Sequence, residues 1–393
     1  MEGTADRDPA AAVAAIVLAA GYSSRMGAFK PLLPFGGRTL IGHVATNLRA
    51  AGLRRIHVVS GFQAEALAPE LARLGVARVH NPDYDKGMFS SVQQGVASLP
   101  PEVEAFLLAP VDMPLIRPAT IARVLRAAAS RESTIVYPVF RGERGHPPLV
   151  RRALFAEILA ADGEGGLRAL LARHDGAASE VAVFDWGCLT DMDRRGDYRL
   201  VSAALSGHRA PDPDECEAMF DAAGTPEATR RHGRAVAILA TRFATRLQAA
   251  GASIDPNLAR AAALVHDIAK GSRRHADAGA AMLRDFGFPE LVPPVAQHMS
   301  LAFGGRLDES AIVYLADKLV QGESRVSLIA RFTPALERFA GDPSAIAGVR
   351  RRLASAEAIA AALEARIGPL DVDDKTETSA PAGEGEWPAA IAV

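Results

Sequence analysis

Residues 14–18, Ala14-Ala15-Ile16-Val17-Leu18, form an unbroken apolar run that passes without a spacer into Ala19-Ala20-Gly21-Tyr22-Ser23-Ser24-Arg25. A strand with one wet face alternates apolar and polar residues. This one does not, so both faces must be covered, as in a parallel sheet held between helices. A glycine-containing loop at the carboxyl end of such a strand is where open α/β sheets hold ligands. The alternation continues downstream: residues 56–59, 105–108, 134–137 and 181–184 read as strands, and 39–50 and 119–129 as helices. Residues 1–205 are therefore expected to form an α/β domain, Rossmann-like, with a mostly parallel sheet.

The strand pattern then stops. Residues 206–214, Ser206-Gly207-His208-Arg209-Ala210-Pro211-Asp212-Pro213-Asp214, are polar with two prolines and read as a linker. Residues 215–368 read as an all-α domain, with amphipathic helices at 227–250, 258–269 and 310–321. Residues 369–393 are acidic and rich in Thr, Ser, Pro and Gly, and are expected to be a disordered tail. At 393 residues and 49% hydrophobic, the chain has apolar material for two cores. A net charge of −2 supplies no drive towards nucleic acid or an anionic membrane, and neither is expected as a partner. Cys188 and Cys216, the two cysteines, can build neither a disulfide framework nor a thiolate zinc site. With no basic stretch before the apolar run, a signal peptide is not expected, and the location expected is cytoplasmic.

In the loop after the first strand, backbone amides of Leu18, Ala19, Ala20, Gly21 and Ser23 can close on phosphate oxygens, while Arg25 and Lys30 supply countercharge. No Asp or Glu occurs between Asp8 and Glu65, so nothing nearby in the chain repels a polyphosphate. No Gly-Lys-Ser/Thr follows, which excludes a Walker A loop. An ordinary glycine turn with solvated basic side chains is the plainer alternative for the loop alone. The whole stretch Leu18–Pro34 resembles the signature loop of nucleotidyltransferases that activate cofactors and sugar phosphates. The likeness is greatest to the molybdenum-cofactor cytidylyltransferases and their guanylyl-transferring relatives. Gly87-Met88-Phe89-Ser90-Ser91, Asp112-Met113-Pro114, Gly142-Glu143-Arg144-Gly145-His146-Pro147 and Asp162-Gly163-Glu164-Gly165-Gly166-Leu167-Arg168 resemble four further blocks of that family, in order.

The resemblance implies a Mg²⁺-dependent transfer of a nucleotidyl group to the phosphate of a molybdopterin-type cofactor, with release of pyrophosphate. Asp112 would bind the nucleotide's magnesium, Asp193 would be its second ligand, and Arg25 and Lys30 would stabilise the leaving group. Ala20 points to CTP, because relatives using CTP carry Leu-Ala-Ala-Gly where guanylyl-transferring ones carry Leu-Ala-Gly-Gly. A molybdoenzyme would be the recipient of the product. One block departs: the family ends the domain with Asp-x-Asp-Thr-Pro, whereas this chain has Asp191-Met192-Asp193-Arg194-Arg195. A helix-starting acid without a metal role therefore stays open for Asp193. A sugar phosphate or another phosphorylated alcohol stays open as acceptor.

Downstream, His232 shares the stripe of Val236, Leu239 and Phe243, Asp317 lies between Val313 and Val320, and His266-Asp267 is embedded among Ala261–Ala269. Singly, each is most simply a satisfied core residue. Together, three segments that each turn a His or Asp inward need pairing or a metal, because buried charge is costly. Imidazole with carboxylate suits Mn, Fe, Ni, Co or Zn. The series resembles the HD superfamily of metal-dependent phosphohydrolases, which implies His232, His266, Asp267 and Asp317 as ligands, with Asp267 also catalytic. His275 and His298 resemble the additional histidines of two-metal members. Lys270 could touch a substrate phosphate or only cap a helix before Gly271. A non-catalytic sensor or docking module for a molybdoenzyme is the alternative for this domain.

Overall fold

The computed structural model describes residues 10–130 and 132–370; the expected tail lies outside the described residues from position 371 onward. Contacts divide the chain into two units, Met1–His208 and Arg209–Val393. Within the stretch expected as a linker, Ala210 and Pro211 are buried, and Pro213 already opens a helix.

The first unit is built on β1 (Val13–Ala19), β2 (Arg55–Ser60), β3 (Ala77–His80), β4 (Ala105–Pro110), β5 (Ile135–Phe140), β6 (Leu149–Arg151) and β7 (Ala178–Ala182). They lie in the order β7-β5-β6-β4-β1-β2-β3, with the short strand Glu143–Arg144 pairing β5. All pairings are parallel except those of β6 and the short strand, so the sheet is mixed and mostly parallel. Helices α1 (Leu40–Ala50), α2 (Ala64–Leu74), α3 (Met88–Ala97), α4 (Pro118–Ser130), α5 (Phe155–Ala160), α6 (Gly166–Ala172) and α7 (Arg195–Ala204) cover it. The composition of β1 follows from its place. Ala15, Val17 and Ala19 enter one core with side chains of α1 and α4, while Ile16 enters the other with α3 and α5. Alternate residues fill opposite cores, and a polar residue would be stranded in either.

Two strands carried no apolar run to announce them. β3 is a largely exposed edge, and β6 has three residues. The last strand also shifts, to Ala178–Ala182 rather than 181–184. Val183 and Phe184 are buried past its end, where the chain turns at the buried Asp185. The Asp185 carboxylate accepts from the Arg117 amide (2.7 Å), the Gly187 amide (3.1 Å) and the Thr120 hydroxyl (2.5 Å). Apolar character there serves packing beyond the ladder.

The second unit is helical: α8 (Pro213–Ala223), α9 (Glu227–Ala249), α10 (Pro256–Val265), α11 (His275–Phe286), α12 (Val292–Gln297), α13 (Glu309–Lys318), α14 (Leu328–Arg338) and α15 (Pro343–Ile367). Asp212, Asp255 and Asp308 cap three of these starts, with proline at the first helical turn of α8 and α10. α9 buries His232, Val236, Leu239, Phe243 and Leu247 along one stripe, whereas α13 is buried on all sides from Ser310 to Lys318. Two helices end earlier than their apolar pattern suggests. α10 stops at Val265 rather than 269, and the next residues form tight turns, with Ile268 N–H donating to Val265 O (3.0 Å) and Lys270 N–H to Asp267 O (2.8 Å). α13 stops at Lys318, and Val320–Gln321 pairs instead with Ser324–Arg325.

Candidate active site and metal centre

β1 delivers its loop to the carboxyl edge of the sheet. The Leu18 carbonyl accepts from the Val111 amide (3.3 Å) and the Ala20 carbonyl from Phe62 (3.0 Å). Ala20 is buried, Gly21 is exposed, and Ser23 takes a positive φ of 53°. The Ser23 carbonyl accepts from Met26 (3.0 Å) and Gly27 (3.3 Å), and its hydroxyl accepts from the Lys30 amide (3.2 Å). The loop thereby folds back so that Lys30 enters the sheet edge with its side chain 9% exposed.

There the Lys30 ammonium lies between two carboxylates, 3.0 Å from Asp112 Oδ2 and 3.3 Å from Asp193 Oδ1. Arg25 donates to the other Asp193 oxygen at 2.9 Å. The absence of acids along residues 9–64 is thus a fact about sequence that the topology overrides. Asp112, after β4, and Asp193, before α7, meet the basic residues from elsewhere in the chain. The helix-start role at α7 belongs to Asp197, whose carboxylate accepts from the amides of Asp193 (3.0 Å) and Arg194 (2.7 Å). Partial desolvation, then Asp112 and Asp193, push the Asp191 carboxyl up. Asp112, Asp193 and the nearby Asp191 set three negative charges against the two positive charges of Lys30 and Arg25, and an all-oxygen donor set suits Mg²⁺.

Two residues of the stretches quoted above, Tyr22 and His146, are given no role of their own by the sequence. Tyr22, half exposed, packs on Phe62 (5.2 Å between ring centres) and edge-on to Tyr84 (5.4 Å), beside the loop. Tyr84 can lie there because Gly61 has no side chain: a Cβ would sit 2.5 Å from the Tyr84 Cβ. Partners 40 and 62 residues apart leave no periodic signal. His146 is the other. Burial pushes its imidazole pKa down against the Leu108 backbone and the nearby Asp112 carboxylate, which pull it up.

In the second unit, α9, the turn after α10, α11, the end of α12, and α13 converge. His232 comes from α9, His266 and Asp267 from the turn, His275 from the start of α11, His298 from just past α12, and Asp317 from α13. Except His275, all are buried. Three imidazoles are anchored through Nδ1 to backbone carbonyls: His232 to Gly322 (2.8 Å), His266 to Ala263 (2.7 Å) and His298 to Val295 (2.6 Å). A carbonyl only accepts, so each Nδ1 carries a proton. In the neutral ring each Nε2 then presents a lone pair. Those lone pairs face carboxylates: His232 Nε2 is 3.2 Å and His266 Nε2 3.5 Å from Asp317 Oδ1, and His298 Nε2 is 3.4 Å from Asp267 Oδ1. His275 Nε2 lies 3.2 Å from both Asp267 Oδ1 and His298 Nε2. Lone pair against carboxylate is repulsive unless a proton or a metal ion stands between them.

The pKa shifts show the same pull toward positive charge, there in the form of a ring proton. Burial alone would lower the His266 pKa, but Asp317 and Asp267 outweigh it and raise it. Burial would raise Asp267, but the His298 ring, His266 and Lys270 hold it well below the carboxylate range; Lys318, His232 and His266 do the same to Asp317. His266 Nε2 is buried without a hydrogen-bond partner. Ligand atoms of His232, His266 and Asp317, and of His266, Asp267 and His298, fall into two compact groups that share His266. Nitrogen with carboxylate oxygen fits a transition metal, and the backbone anchors fix the rings as outer-shell partners do in metal sites. Lys270 donates to Asp267 Oδ2 (2.5 Å) while half exposed, and α10 has ended five residues before it.

An α/β sheet with a basic loop beside paired carboxylates defines a nucleotidyltransferase-type domain, and a helical bundle around histidines and aspartates defines a metal-binding domain of the histidine–aspartate class. Both families are named by comparison. Residues 15–178 belong to the MobA-like NTP transferase domain family, and residues 229–321 to the HD domain family. The chain is 28% identical to molybdenum cofactor cytidylyltransferase of Escherichia coli, over 48% of this chain and 94% of that protein. It is 31% identical to nicotine blue oxidoreductase of Paenarthrobacter nicotinovorans, over 48% of this chain and 96% of that protein. Among solved structures, a nucleotidyl transferase from Methanothermobacter thermautotroptrophicus matches with a TM-score of 0.44 and 25% identity, covering 50% of this chain and 98% of that one. The chain is therefore a MobA-like nucleotidyltransferase fused to an HD domain. Among the described residues, no helix is long and apolar enough to cross a membrane.

Proposed function

We propose that the first domain transfers CMP from CTP to the phosphate of a molybdopterin-type cofactor and releases pyrophosphate, and that the HD domain is a metal-dependent phosphohydrolase. The observation that carries the first part is the Lys30 ammonium held between Asp112 and Asp193 beside a loop folded back on Ser23. Mg²⁺ bound at those carboxylates would neutralise triphosphate charge. The remaining work falls to the chain. Leu18 and Ala19 belong to β1, so loop amides from Ala20 to Ser23 hold the phosphates, and Arg25 and Lys30 stabilise charge gathering on the leaving group. An acceptor phosphate oxygen attacks the α-phosphorus, the bond from that phosphorus to the bridging oxygen of the β-phosphate breaks, and pyrophosphate leaves with both its phosphates. No side-chain nucleophile is needed. Ala20 is buried at the loop, and a methyl group there would narrow the space beside the base and favour cytosine over a purine.

In the HD domain, His232, His266, Asp267 and Asp317 would hold one transition metal, with His275 and His298 serving a second. Such a metal supplies activation of water and charge neutralisation at a phosphate ester. Asp267 would help orient that water, and the half-exposed Lys270 would meet the ester's phosphate. A molybdoenzyme as recipient of the first domain's product, and a cytoplasmic location, belong to the same reading.

The test is pyrophosphate release by the full chain with Mg²⁺ and molybdenum cofactor, comparing CTP, GTP, ATP and UTP, with Asp112→Ala alongside. Release confined to CTP, and dependent on cofactor and on Asp112, is expected. Equal release with a sugar phosphate as acceptor would overturn the choice of acceptor, and equal rates with GTP the choice of base.

A further inference from the structure

The two carboxylates of the HD site are wired alike. Each turns one oxygen to a pair of histidines and the other to a lysine. Asp317 gives Oδ1 to His232 and His266 and Oδ2 to Lys318 Nζ (2.5 Å). Asp267 gives Oδ1 to His275 and His298 and Oδ2 to Lys270 Nζ (2.5 Å), with His266 Nε2 3.6 Å from that second oxygen. The lysines differ in setting. Lys270 is half exposed at the mouth, whereas the Lys318 side chain is 7% exposed.

A buried ammonium needs its donors used and its charge balanced. Lys318 meets that need in three ways. It pairs with Asp317, it donates to the carbonyl of His298 at 2.9 Å, and it lies 5.0 Å from the Tyr314 ring centre. The first two contacts belong to different halves of the site. Asp317 groups with His232 and His266, while His298 groups with His266 and Asp267. His298 is also the residue that caps the C-terminal end of α12, so the lysine satisfies a terminal carbonyl of the element that aims that ring.

We infer that Lys318 is a positioning residue that ties the two metal subsites together, setting the Asp317 carboxylate for one and the His298 backbone for the other. Lys270 serves Asp267 alone, at the face open to substrate. The inference rests on the HD site binding two metal ions.

The experiment is a titration of the full, metal-stripped chain with Co²⁺, followed by its visible absorption. Outer-shell losses typically weaken a metal site about 10–100-fold. Lys318→Met, close in length but without charge or donor, is expected to bind both Co²⁺ ions about 10–100-fold more weakly. Weakening of a single site in Lys318→Met, or of neither, would overturn the bridging role. Should Lys318→Met fail to fold by circular dichroism, Lys318→Gln carries the test, since it keeps a donor and loses the charge; loss at both sites is again the expected result, and loss at one or none the contrary one. Wild-type protein that binds fewer than two Co²⁺ would instead overturn the two-metal reading beneath the inference.

Discussion

At the scale of single residues, Lys30 is the clearest case of a side chain with two tasks in conflict. Its ammonium neutralises Asp112 and Asp193, the oxygens a divalent cation would take, while its charge is also wanted at the phosphates. Removing it should separate the two tasks. Lys30→Met frees Asp112 and leaves Asp193 paired with Arg25 alone, so Mg²⁺ affinity without nucleotide, measured by titration calorimetry, should rise. Nucleotidyl transfer should fall by about 100-fold, equivalent to about 2.7 kcal/mol of transition-state stabilisation. Unchanged Mg²⁺ affinity would mean that the metal does not use these oxygens. The identity of these residues was legible in the sequence, because a glycine loop after an apolar strand and an acid after another strand's end are local signals. Their pairing was not. The basic loop reads as free of acids along residues 9–64, and only the strand order, with β4 and β1 adjacent, brings Asp112 beside it. For the histidines the reverse holds. The stripe of His232, Val236, Leu239 and Phe243 marked an inward ring at once, yet nothing in spacing told that Nδ1 of three rings would be tied to carbonyls.

At the scale of elements, the metal centre depends on how closely α9 and α10 approach. Gly233, one residue past His232, faces α10, and a Cβ there would overlap the Leu264 carbonyl oxygen. The obstacle is backbone, so no rotamer relieves it, and the helices would have to part. Gly233→Ala should therefore cost about 1–3 kcal/mol of stability in chemical denaturation, in the range of overpacked cores. It should also lower metal content, because the movement separates His232 on α9 from His266 at the end of α10. Gly251→Ala is the comparison: its φ of 83° gives it backbone strain, but nothing lies within 4 Å of its Cβ and it follows the opposite end of α9 from His232, so metal content should stay. Loss of stability with full metal content in Gly233→Ala would show that the helix spacing does not set the site. Element ends were the least legible part of this unit. An apolar pattern runs on through Ile268-Ala269 because those side chains still pack, while the hydrogen bonds have already tightened into turns. The early stop matters, since it leaves Asp267 on a turn, where its carboxylate reaches His275 and His298.

At the scale of the whole molecule, the change of pattern after residue 205 was legible because periodicity itself changes, from short apolar runs to helical stripes. Each candidate site then draws its residues from one unit only. Lys30, Asp112 and Asp193 lie before His208, and the histidine cluster with its two aspartates lies after Arg209. Chemistry separates them further: an oxygen donor set suits Mg²⁺, and a nitrogen-rich one suits transition metals. Crossed variants should therefore show crossed losses. Asp112→Ala should abolish pyrophosphate release and retain the transition-metal content of the wild type. His266→Ala combined with Asp267→Ala should lose that metal, because His266 belongs to both ligand groups, and should keep pyrophosphate release within about twofold. The measurements are elemental analysis of the purified chains and the pyrophosphate assay run in parallel. Sites with no shared residue or partner behave additively, so the combined triple variant should show both losses and no more. Joint loss of metal and transfer in either single-site variant, with the fold intact by circular dichroism, would mean that the sites are energetically one.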